Sequence, residues 1–473
     1  MLGVFLCMVL QHKNYTPDDT FIYLHYSTKI AHGFGFSFNG NTPSYGVTGP
    51  LWALLLSAGS LLGSNIYWYA KALDLVFALA AILVFAVVAH KILRDDFFTL
   101  FAVFAFITDA WWLRWCGAGM ETSCSVFLVM LSLLYLLKEK NVTASCVIGL
   151  LSLIRPEGVL FFTIVLLYVV FLTQIKKRFR ASIKMILPFA ASVVPWLVFS
   201  FYHFGTMIPN TLAGKSAHSY SLTQFFTASI DILKIIGATN GVFIFTAIAG
   251  VIVLLIQEKV HFRNVHCVPA MWCIALPIAY AAKDVQVVSR YLLLITPFVI
   301  VYGAWALKYS IQQIALSARS KKIIFVLVIT VTVAVNQFVY WEKVLPHTAA
   351  FSQGVENALF PIAEWLRDNS DSSATVVAPD VGVLGFISQR AVYDPAGLIV
   401  PEMKKAFHGI SYEEGMRTKV YENVLKPDYI IERNIVPARL ASASLETIMV
   451  KKFYGLGISA PHPTYYTLYR VKK

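Results

Sequence analysis

Charged residues are scarce in this sequence. Asp, Glu, Lys and Arg make up 14% of its 473 residues, against about 25% in an average soluble domain. Hydrophobic residues reach 58%, and apolar runs of membrane-spanning length recur between about residues 67 and 340. The composition therefore excludes an ordinary soluble domain and predicts a polytopic α-helical membrane protein.

Signatures of metal, nucleotide and nucleic-acid sites are also missing. The cysteines lack a CxxC spacing and are interpreted as small buried hydrophobic residues, without a disulfide or zinc site. The glycines of "DVGVLG" (380–385) depart from the GxGxxG pattern and predict a turn. The net charge of +13 comes without a basic face interleaved with aromatic residues, so nucleic acid is not an expected partner. The six cysteines are Cys7, Cys116, Cys124, Cys146, Cys267 and Cys273.

The chain begins with a hydrophobic run that is too short to cross a bilayer. "MLGVFLCMVL" (1–10) lacks the basic start and the small-residue cleavage site of a signal peptide. We interpret it as a first membrane helix that is truncated, with its leading turn missing from the start.

Lysine and arginine gather in alternate connections between the apolar runs. With the N-terminus in the cytoplasm, all the strongly basic loops fall on the cytoplasmic side, as the positive-inside rule requires. This parity holds if the short apolar segment 50–63 lies along the outer interface instead of crossing the bilayer. The basic loops are 90–96, 138–141, 174–180, 257–264 and 308–322. About eleven spans are then predicted, near 1–11, 67–90, 97–112, 121–137, 142–155, 157–174, 184–203, 241–257, 267–282, 291–307 and 323–340.

The pattern divides the chain into two domains. Residues 1–340 form the multi-span membrane domain, in which 11–66 is one long external loop. In residues 341–473 the charged and proline content rises and the long apolar runs stop. Helical spacing over 355–369 and several strand-like stretches predict an extracytoplasmic α/β domain. The strand-like stretches are "TVVAPDVGVLGFIS", "AVYDPAGLI", "PDYIIERN" and "YYTLYRV".

The first external loop contains two adjacent acidic residues, Asp18 and Asp19. One interpretation is structural, since Thr16 fits a helix N-cap, Pro17 fits the first helical position and Asp19 then falls at a capping-box position. A cap does not exclude a chemical role, so both interpretations stay open.

The chemical interpretation rests on helical spacing. Asp19 and Tyr23 would share one face of the helix, and Asp18 and His25 would share the neighbouring face. A cluster of carboxylates, a phenol and an imidazole would then lie at the outer boundary of the bilayer.

Further charged residues are predicted on the same outer side. Glu121 starts an apolar helix after a tryptophan-rich stretch (111–115), for which an interfacial aromatic belt is the favoured interpretation. Arg155 and Glu157 lie between two spans, where they either pair to close a turn or serve a site. Cations follow in later outer loops at Lys215, Lys283 and Arg290.

Carboxylates and cations on one outer surface suit the transfer of a glycosyl group from a lipid phosphate. Because the phosphate is already a good leaving group, the site needs a carboxylate to take the proton of the acceptor hydroxyl. It also needs fixed cations to stabilise the departing phosphate.

The order of these motifs resembles the GT-C superfamily of polyprenyl-phosphate-sugar glycosyltransferases, and within it the branch of decaprenyl-phosphate-arabinose-dependent arabinofuranosyltransferases. The resemblance implies an inverting glycosyltransferase of the bacterial inner (plasma) membrane. Its donor would be a polyprenyl-phosphate-linked sugar and its acceptor a glycan, lipid or protein of the cell envelope. One departure is Leu294, where the branch usually has proline. The motifs are "PDDTFIYLHYSTKIAHGFGFSFN", "GVTGPLWALLL", "GMET", "LIRPEGVLF", "YHFGTMIPNTLAGK" and "SRYLLLITP", all within residues 1–310.

The resemblance also implies roles for single residues. An acidic residue of the first external loop is the catalytic base in this superfamily, which here is Asp19 or Asp18, with Asp19 favoured. Lys215 and Arg290 are the expected contacts of the lipid phosphate, with Arg155 behind them. The complete set of expected substrate-binding residues is Glu121, Arg155, Glu157, Lys215, Arg290, His25 and Tyr23.

A metal and several other functions are left open. Some members of the superfamily use Mg²⁺ or Mn²⁺, but adjacent acids on a helix point partly apart, so no metal ligand is assigned. A lipid-linked glycan polymerase or ligase is an alternative, although such enzymes depend on Arg and His of a large later loop. A transporter would show internal repeats and midplane charges. A non-catalytic protein of the same fold is the last alternative.

Overall fold

The computed structural model consists of a bundle of apolar helices followed by a small α/β domain. It describes residues 1–172, 174–211, 221–256, 265–283, 287–313, 317–458 and 462–472. The helices up to the sheet are α1 (Leu2–Leu10), α2 (Asp18–Ala31), α3 (Pro50–Leu61), α4 (Ile66–Leu93), α5 (Asp96–Ile107), α6 (Ala110–Trp115), α7 (Thr122–Leu137), α8 (Asn141–Ile154), α9 (Glu157–Leu172), α10 (Arg178–Phe204), α11 (Leu222–Ile256), α12 (Cys267–Ala282), α13 (Ser289–Leu292), α14 (Thr296–Gln313), α15 (Ala318–Val339), α16 (Leu345–Gly354) and α17 (Phe360–Asn369).

Four helices in the described ranges are long and apolar enough to cross a membrane. Each of the eleven predicted spans overlaps at least one helix, but several of these helices are short, and the spans 97–112 and 291–307 are each divided between two helices. The 14 residues of α8 rise only about 21 Å, against about 30 Å of bilayer hydrocarbon. The helical membrane domain is therefore confirmed, and the number of spans stays a prediction. The four long helices are Ile66–Leu93, Arg178–Phe204, Leu222–Gly250 and Arg319–Asn369.

The last of these helices joins the two parts of the chain. It continues from α15 to α17 through two π-helical turns, Tyr340–Val344 and Val355–Leu359. Each turn is followed within two residues by a proline, Pro346 or Pro361. Because proline lacks the N–H that an α-helix needs, a local change of hydrogen-bond pattern keeps the helix continuous. The predicted domain boundary at residue 340 thus lies inside one unbroken helix.

The α/β domain contains one five-stranded sheet in the order β2-β1-β3-β5-β4. The strand β1 pairs in parallel with β2 and β3, whereas β5 pairs antiparallel with β3 and β4. The sequence analysis identified four of the five strands and missed β4. The stretch after β1 is a helix, α18, and not a strand. The elements are β1 (Thr375–Val377), α18 (Gly382–Ser388), β2 (Ala391–Tyr393), α19 (Pro401–Ala406), α20 (Tyr412–Arg417), β3 (Tyr429–Asn434), β4 (Leu445–Phe453) and β5 (Thr464–Val471).

The first external loop folds around α2 and α3. The two helices are joined where the Ser27 hydroxyl donates to the Ala53 carbonyl oxygen at 2.9 Å. Pro17, and not Thr16, occupies the N-cap position, and within the described chain α2 begins without a side-chain cap. The Thr16 hydroxyl instead lies 2.9 Å from the Tyr67 hydroxyl. The capping interpretation of the acidic pair is therefore wrong, and both carboxylates have other partners.

The tryptophan-rich stretch is also placed differently from the expected aromatic belt. Trp112 is fully buried and stacks on Phe106 with ring centres 4.7 Å apart. Trp115 is 4% exposed. These two rings form part of the core, because α6 lies between neighbouring helices and not along a lipid-facing surface.

Candidate functional site

The two carboxylates at the start of α2 point in different directions. Successive residues on a helix are about 100° apart, so neighbours cannot face the same partner. Asp18 faces the α/β domain, and Asp19 faces Arg290 with which it forms an ion pair. One acidic dipeptide thus connects two different parts of the structure.

Asp18 binds the start of α18. Its two carboxylate oxygens accept hydrogen bonds from the backbone N–H groups of Gly382 at 2.9 Å and Val383 at 2.8 Å. We call these two contacts the Asp18 clasp. The stretch "DVGVLG" was predicted to be a turn, but Gly382 to Gly385 form the first part of α18. Its first backbone N–H groups hold a carboxylate of the first loop, as helix N-termini commonly do.

Burial makes the charge on Asp18 costly. Burial, together with the nearby carboxylate of Asp380, raises the pKa of Asp18 to about 7, although the two N–H groups of the clasp oppose the shift. Asp380 itself pairs with Arg433 at 2.9 Å and accepts a hydrogen bond from the Tyr466 hydroxyl at 2.6 Å. The clasp thus belongs to a charged network of the α/β domain, and Asp18 lies outside the cavity described next.

Asp19 lies on the wall of a cavity of about 390 Å³. Residues from the first loop, from the starts of α7 and α9, from the end of α12 and from α13 line it. Its polar wall contains Asp19, Tyr23, Glu121, Arg155, Glu157, Thr211, Tyr280, Lys283 and Arg290, and its apolar wall contains Ile22, Val47, Met120, Leu160, Leu276 and Leu398. Six of the nine residues assigned to the site from the sequence therefore meet in one cavity, together with Lys283.

Arg155 is the centre of the polar wall. Its guanidinium donates to Glu121 Oε1 at 3.1 Å and to Glu157 Oε1 at 3.0 Å. The Tyr280 hydroxyl donates to the same oxygen of Glu157 at 2.5 Å. The side chains of Arg155 and Glu157 can meet because Arg155 ends α8 in an extended conformation while Glu157 begins α9. The predicted pairing of Arg155 and Glu157 is observed, and Glu121 adds a second carboxylate.

Arg290 forms the opposite polar wall. Its guanidinium lies 5.3 Å from the ring centres of both Trp115 and Tyr291, in addition to its ion pair with Asp19. The Trp115 indole N–H donates to Ser289 at 2.9 Å, which fixes the ring beside the cation. Aromatic faces attract a guanidinium without neutralising it, so Arg290 can still bind an anion.

Three buried polar atoms of this cavity lack a hydrogen-bond partner among the described residues. They are Glu121 Oε2, Thr211 Oγ1 and Arg290 Nε. Buried polar atoms in native proteins are nearly always paired, so such a group calls for a polar ligand or water. A ligand could donate hydrogen bonds to Glu121 Oε2 and Thr211 Oγ1 and accept one from Arg290 Nε.

The other predicted residues are distributed as follows. Tyr23 lines the cavity with its ring, and its hydroxyl accepts from the Gly49 N–H at 3.1 Å, which holds the segment leading to α3. His25 lies away from the cavity and donates to the Phe38 carbonyl at 2.9 Å. Burial lowers the pKa of His25 to about 4, so its ring is neutral and supports the loop. Lys215 lies outside the described residues.

The sequence analysis missed several residues of the wall. Tyr280, Tyr291 and Thr211 were not singled out, and Lys283 was noted without a role. The signal available for Tyr280 and Lys283 was their position at the C-terminal end of an apolar helix, facing the predicted outer side. Trp115 was assigned to the lipid interface and instead supports Arg290.

The acidic residues do not form a joint metal site. Among the described residues, no group of three His, Cys, Asp or Glu side chains is placed to hold a metal ion. Asp18 and Asp19 face different partners, so the pair does not fit Mg²⁺ or Mn²⁺ as joint ligands.

One family model and several solved structures are similar to this chain. Residues 348–469 match a family model described as a domain of unknown function, DUF8728. No curated protein matches the chain.

Solved structures of glycosyltransferases are similar over nearly the whole chain. ArnT from Cupriavidus metallidurans, bound to undecaprenyl phosphate, has a TM-score of 0.57 and 12% identity, covering 98% of this chain and 97% of that one. The oligosaccharyltransferase of Archaeoglobus fulgidus, tethered to an acceptor peptide, has a TM-score of 0.56 and 14% identity, covering 92% of this chain and 69% of that one. A variant of the arabinofuranosyltransferase AftD from Mycobacteria has a TM-score of 0.51 and 14% identity, covering all of this chain and 41% of that one.

These likenesses establish the fold. The chain shares the overall fold of these solved glycosyltransferase structures. The arabinofuranosyltransferase branch is not distinguished from the others by these comparisons.

Proposed function

We propose that the protein is a membrane glycosyltransferase that transfers a sugar from a polyprenyl phosphate to a hydroxyl of a cell-envelope glycan, lipid or protein. The reaction would take place on the outer face of the membrane, with the α/β domain on the same side and the N-terminus in the cytoplasm. An arabinofuranosyl group is the narrower candidate for the transferred sugar, because of the sequence resemblance.

The observation that carries this proposal is the placement of Asp19 and Arg290 together on the wall of one cavity. A carboxylate and a guanidinium are the two groups that the reaction needs. The Asp19 side chain is 40% exposed and so can reach an acceptor, whereas Arg290 is 8% exposed and positioned by two aromatic rings. The fold shared with ArnT and the oligosaccharyltransferase supports the assignment.

The chemistry follows from these positions. The acceptor oxygen attacks the anomeric carbon, and its proton passes to the carboxylate of Asp19. The bond between the anomeric carbon and the phosphate oxygen breaks, and its electron pair leaves with the polyprenyl phosphate, whose charge Arg290 stabilises. Attack opposite the leaving phosphate inverts the anomeric centre. Lys283, on the same wall, would contact the phosphate as a second cation.

The ion pair between Asp19 and Arg290 implies that the donor binds before Asp19 accepts a proton. A donor phosphate that binds Arg290 competes with Asp19 for the guanidinium. Asp19 then becomes available to accept a proton only after the donor has bound, which disfavours reaction with other hydroxyls in its absence.

The second group of charged residues would hold the sugar. Arg155 is already bound by Glu121 and Glu157, which leaves Glu121 Oε2 to accept from a ring hydroxyl. Thr211 Oγ1 offers a further hydrogen bond on the same wall. Polar groups that converge in a mostly apolar cavity are typical of sites that orient a small polar ligand.

The test is a gene replacement in the source organism. Asn at position 19 keeps the size of the side chain but cannot take a proton, so Asp19→Asn is expected to accumulate the lipid-linked donor and to lose one envelope sugar by mass spectrometry. The matched control is Asp231→Asn, which neutralises an exposed carboxylate that pairs only locally with Lys234. Equal protein levels establish that both variants fold.

A second measurement separates catalysis from binding. Purified Asp19→Asn is expected to bind undecaprenyl phosphate at least as tightly as the wild type, because Asn no longer competes with the phosphate for Arg290, whereas Arg290→Gln should bind it roughly tenfold more weakly. If Asp19→Asn transfers the sugar as the wild type does, Asp19 is not the base. Asp18 would then be the next candidate for the base, whereas a wild type that transfers no sugar would replace the proposal with a transport or non-catalytic role.

A further inference from the structure

A basic cavity lies at the end of the bundle away from the Asp19 cavity. It has a volume of about 340 Å³ and lies between the end of α4, the residue before α12 and the last turns of α14. Its wall contains Lys91, Arg94 and Lys308, together with His266 and the aromatic residues Trp305 and Tyr309.

The length of α4 places this cavity at the opposite membrane surface. The Ile66 end of α4 adjoins the first loop, where the Tyr67 hydroxyl meets Thr16 at 2.9 Å. The 28 residues of α4 rise about 42 Å, which is the thickness of a bilayer with its headgroups. Lys91 and Arg94 in its last turn therefore lie at headgroup level in the other leaflet.

Two of the cations face the cavity without an opposite charge. Lys308 donates to the Leu93 carbonyl at 2.8 Å and lies 3.5 Å from the carboxylate of Asp95. Lys91 and Arg94, in contrast, are in no ion pair within the described ranges of the chain. Among the described residues, the end of α4 therefore presents two cations that no carboxylate pairs with.

The remaining walls fit a headgroup. Arg94 ends α4 with the left-handed backbone angles φ 46° and ψ 45°, a common way for a helix to end. Trp305 and Tyr309 stack with ring centres 5.5 Å apart and planes within 9°, which gives a flat aromatic wall of the kind found at membrane interfaces. The His266 imidazole lies 2.7 Å from the Tyr302 hydroxyl and closes one side.

We propose that this cavity binds the phosphate group of an anionic phospholipid in the leaflet opposite the Asp19 cavity. Basic cavities between membrane helices are known to hold acidic headgroups. A zwitterionic lipid would bring its own ammonium group to Lys91 and Arg94, so the site should prefer a headgroup with net negative charge. A free phosphate ion would bind the same cations, but it has no group that would contact the rings of Trp305 and Tyr309.

The test uses native mass spectrometry of the full chain purified in detergent. Phosphatidylglycerol is titrated against the wild type and against Lys91→Gln/Arg94→Gln, with phosphatidylcholine and inorganic phosphate as separate probes. The matched control is Arg319→Gln/Lys322→Gln, which removes two exposed cations near the start of α15 that do not line the cavity.

We expect the Lys91→Gln/Arg94→Gln protein to bind phosphatidylglycerol roughly tenfold or more weakly, since each cation near an anionic lipid contributes about fivefold. Binding of phosphatidylcholine and the affinity of the control should stay unchanged, which also excludes misfolding as the cause. Equal weakening in the control would overturn the site. Equal affinity for the two lipids would overturn the preference for an anionic headgroup, and tight binding of inorganic phosphate alone would overturn the lipid as its source.

Discussion

The Asp18 clasp should weaken as the pH rises. In the folded protein the pKa of Asp18 is raised from its usual 3.8 to about 7, mainly because of burial and secondarily because of Asp380. When α18 separates from α2, Asp18 becomes exposed to water and its pKa returns towards 3.8. The closed form therefore holds a proton between these two values that the open form has lost.

The sign and the size follow from this difference in bound protons. Closing takes up one proton, so the free energy that favours closure is fully present below pH 3.8 and falls as the pH rises towards 7. The slope is about 1.4 kcal/mol per pH unit, and the total loss over about three units is about 4 kcal/mol. Above pH 7 Asp18 is ionised in the closed form as well, so the full cost of burying its charge opposes closure and the free energy of closure no longer changes with pH.

Hydrogen exchange followed by mass spectrometry measures this opening directly. The reporter is the peptide that contains Gly382 and Val383, between pH 5 and 8, with intrinsic exchange rates corrected for pH. Its opening free energy should fall by about 1.4 kcal/mol per unit between pH 5 and 6 in the wild type. Amides of β3 serve as the internal control, because they lie in the sheet and not in the clasp.

Asp18→Asn tests the origin of the slope. Asn has no proton to lose and can accept only one of the two hydrogen bonds, so the clasp should be weaker at low pH but independent of pH. The other ionisable groups around Asp18 are Asp19, Asp380, Arg433 and Tyr466. A wild type without a slope, or a variant that keeps it, would refute Asp18 as the titrating group.

Three further predictions concern single contacts. A Cβ at Gly382 would overlap the Asp18 carbonyl, so Gly382→Ala should weaken the clasp by about 2 kcal/mol in the same exchange assay, whereas Gly237→Ala, with open space around its Cβ, should not. Tyr280→Phe removes only the hydroxyl that binds Glu157 and should lower the free energy of unfolding by about 1 kcal/mol, checked by chemical denaturation; an unchanged stability would show that this hydrogen bond contributes nothing. Glu121→Gln should raise the KM for the lipid-linked donor with a smaller change in kcat, because Glu121 is assigned to the sugar and not to the proton; a loss confined to kcat would contradict that role.

The charged residues that line the candidate site were singled out from the sequence. Asp19, Glu121 and Arg155 could be singled out because charged residues at the edges of apolar runs are unusual. Their placement on one side followed from the alternation of basic loops. The prediction was weaker for His25, since helical spacing gave its face but not its neighbour, the Phe38 carbonyl.

Features that depend on neighbouring residues could be determined from the sequence alone, whereas contacts between residues far apart in the chain could not. Apolar runs, their lengths and the charges between them are properties of neighbouring residues, so the sequence by itself determined the long apolar helices and four of the five strands of the later sheet. The direction of each carboxylate of the acidic pair depends on partners far away along the chain. The contact of Asp18 with Gly382 joins residues 364 positions apart, and that of Asp19 with Arg290 joins residues 271 apart. Only the tertiary structure decided that Asp18 holds the α/β domain while Asp19 faces the cavity, because two adjacent side chains on a helix diverge and the packing around them selects a partner for each.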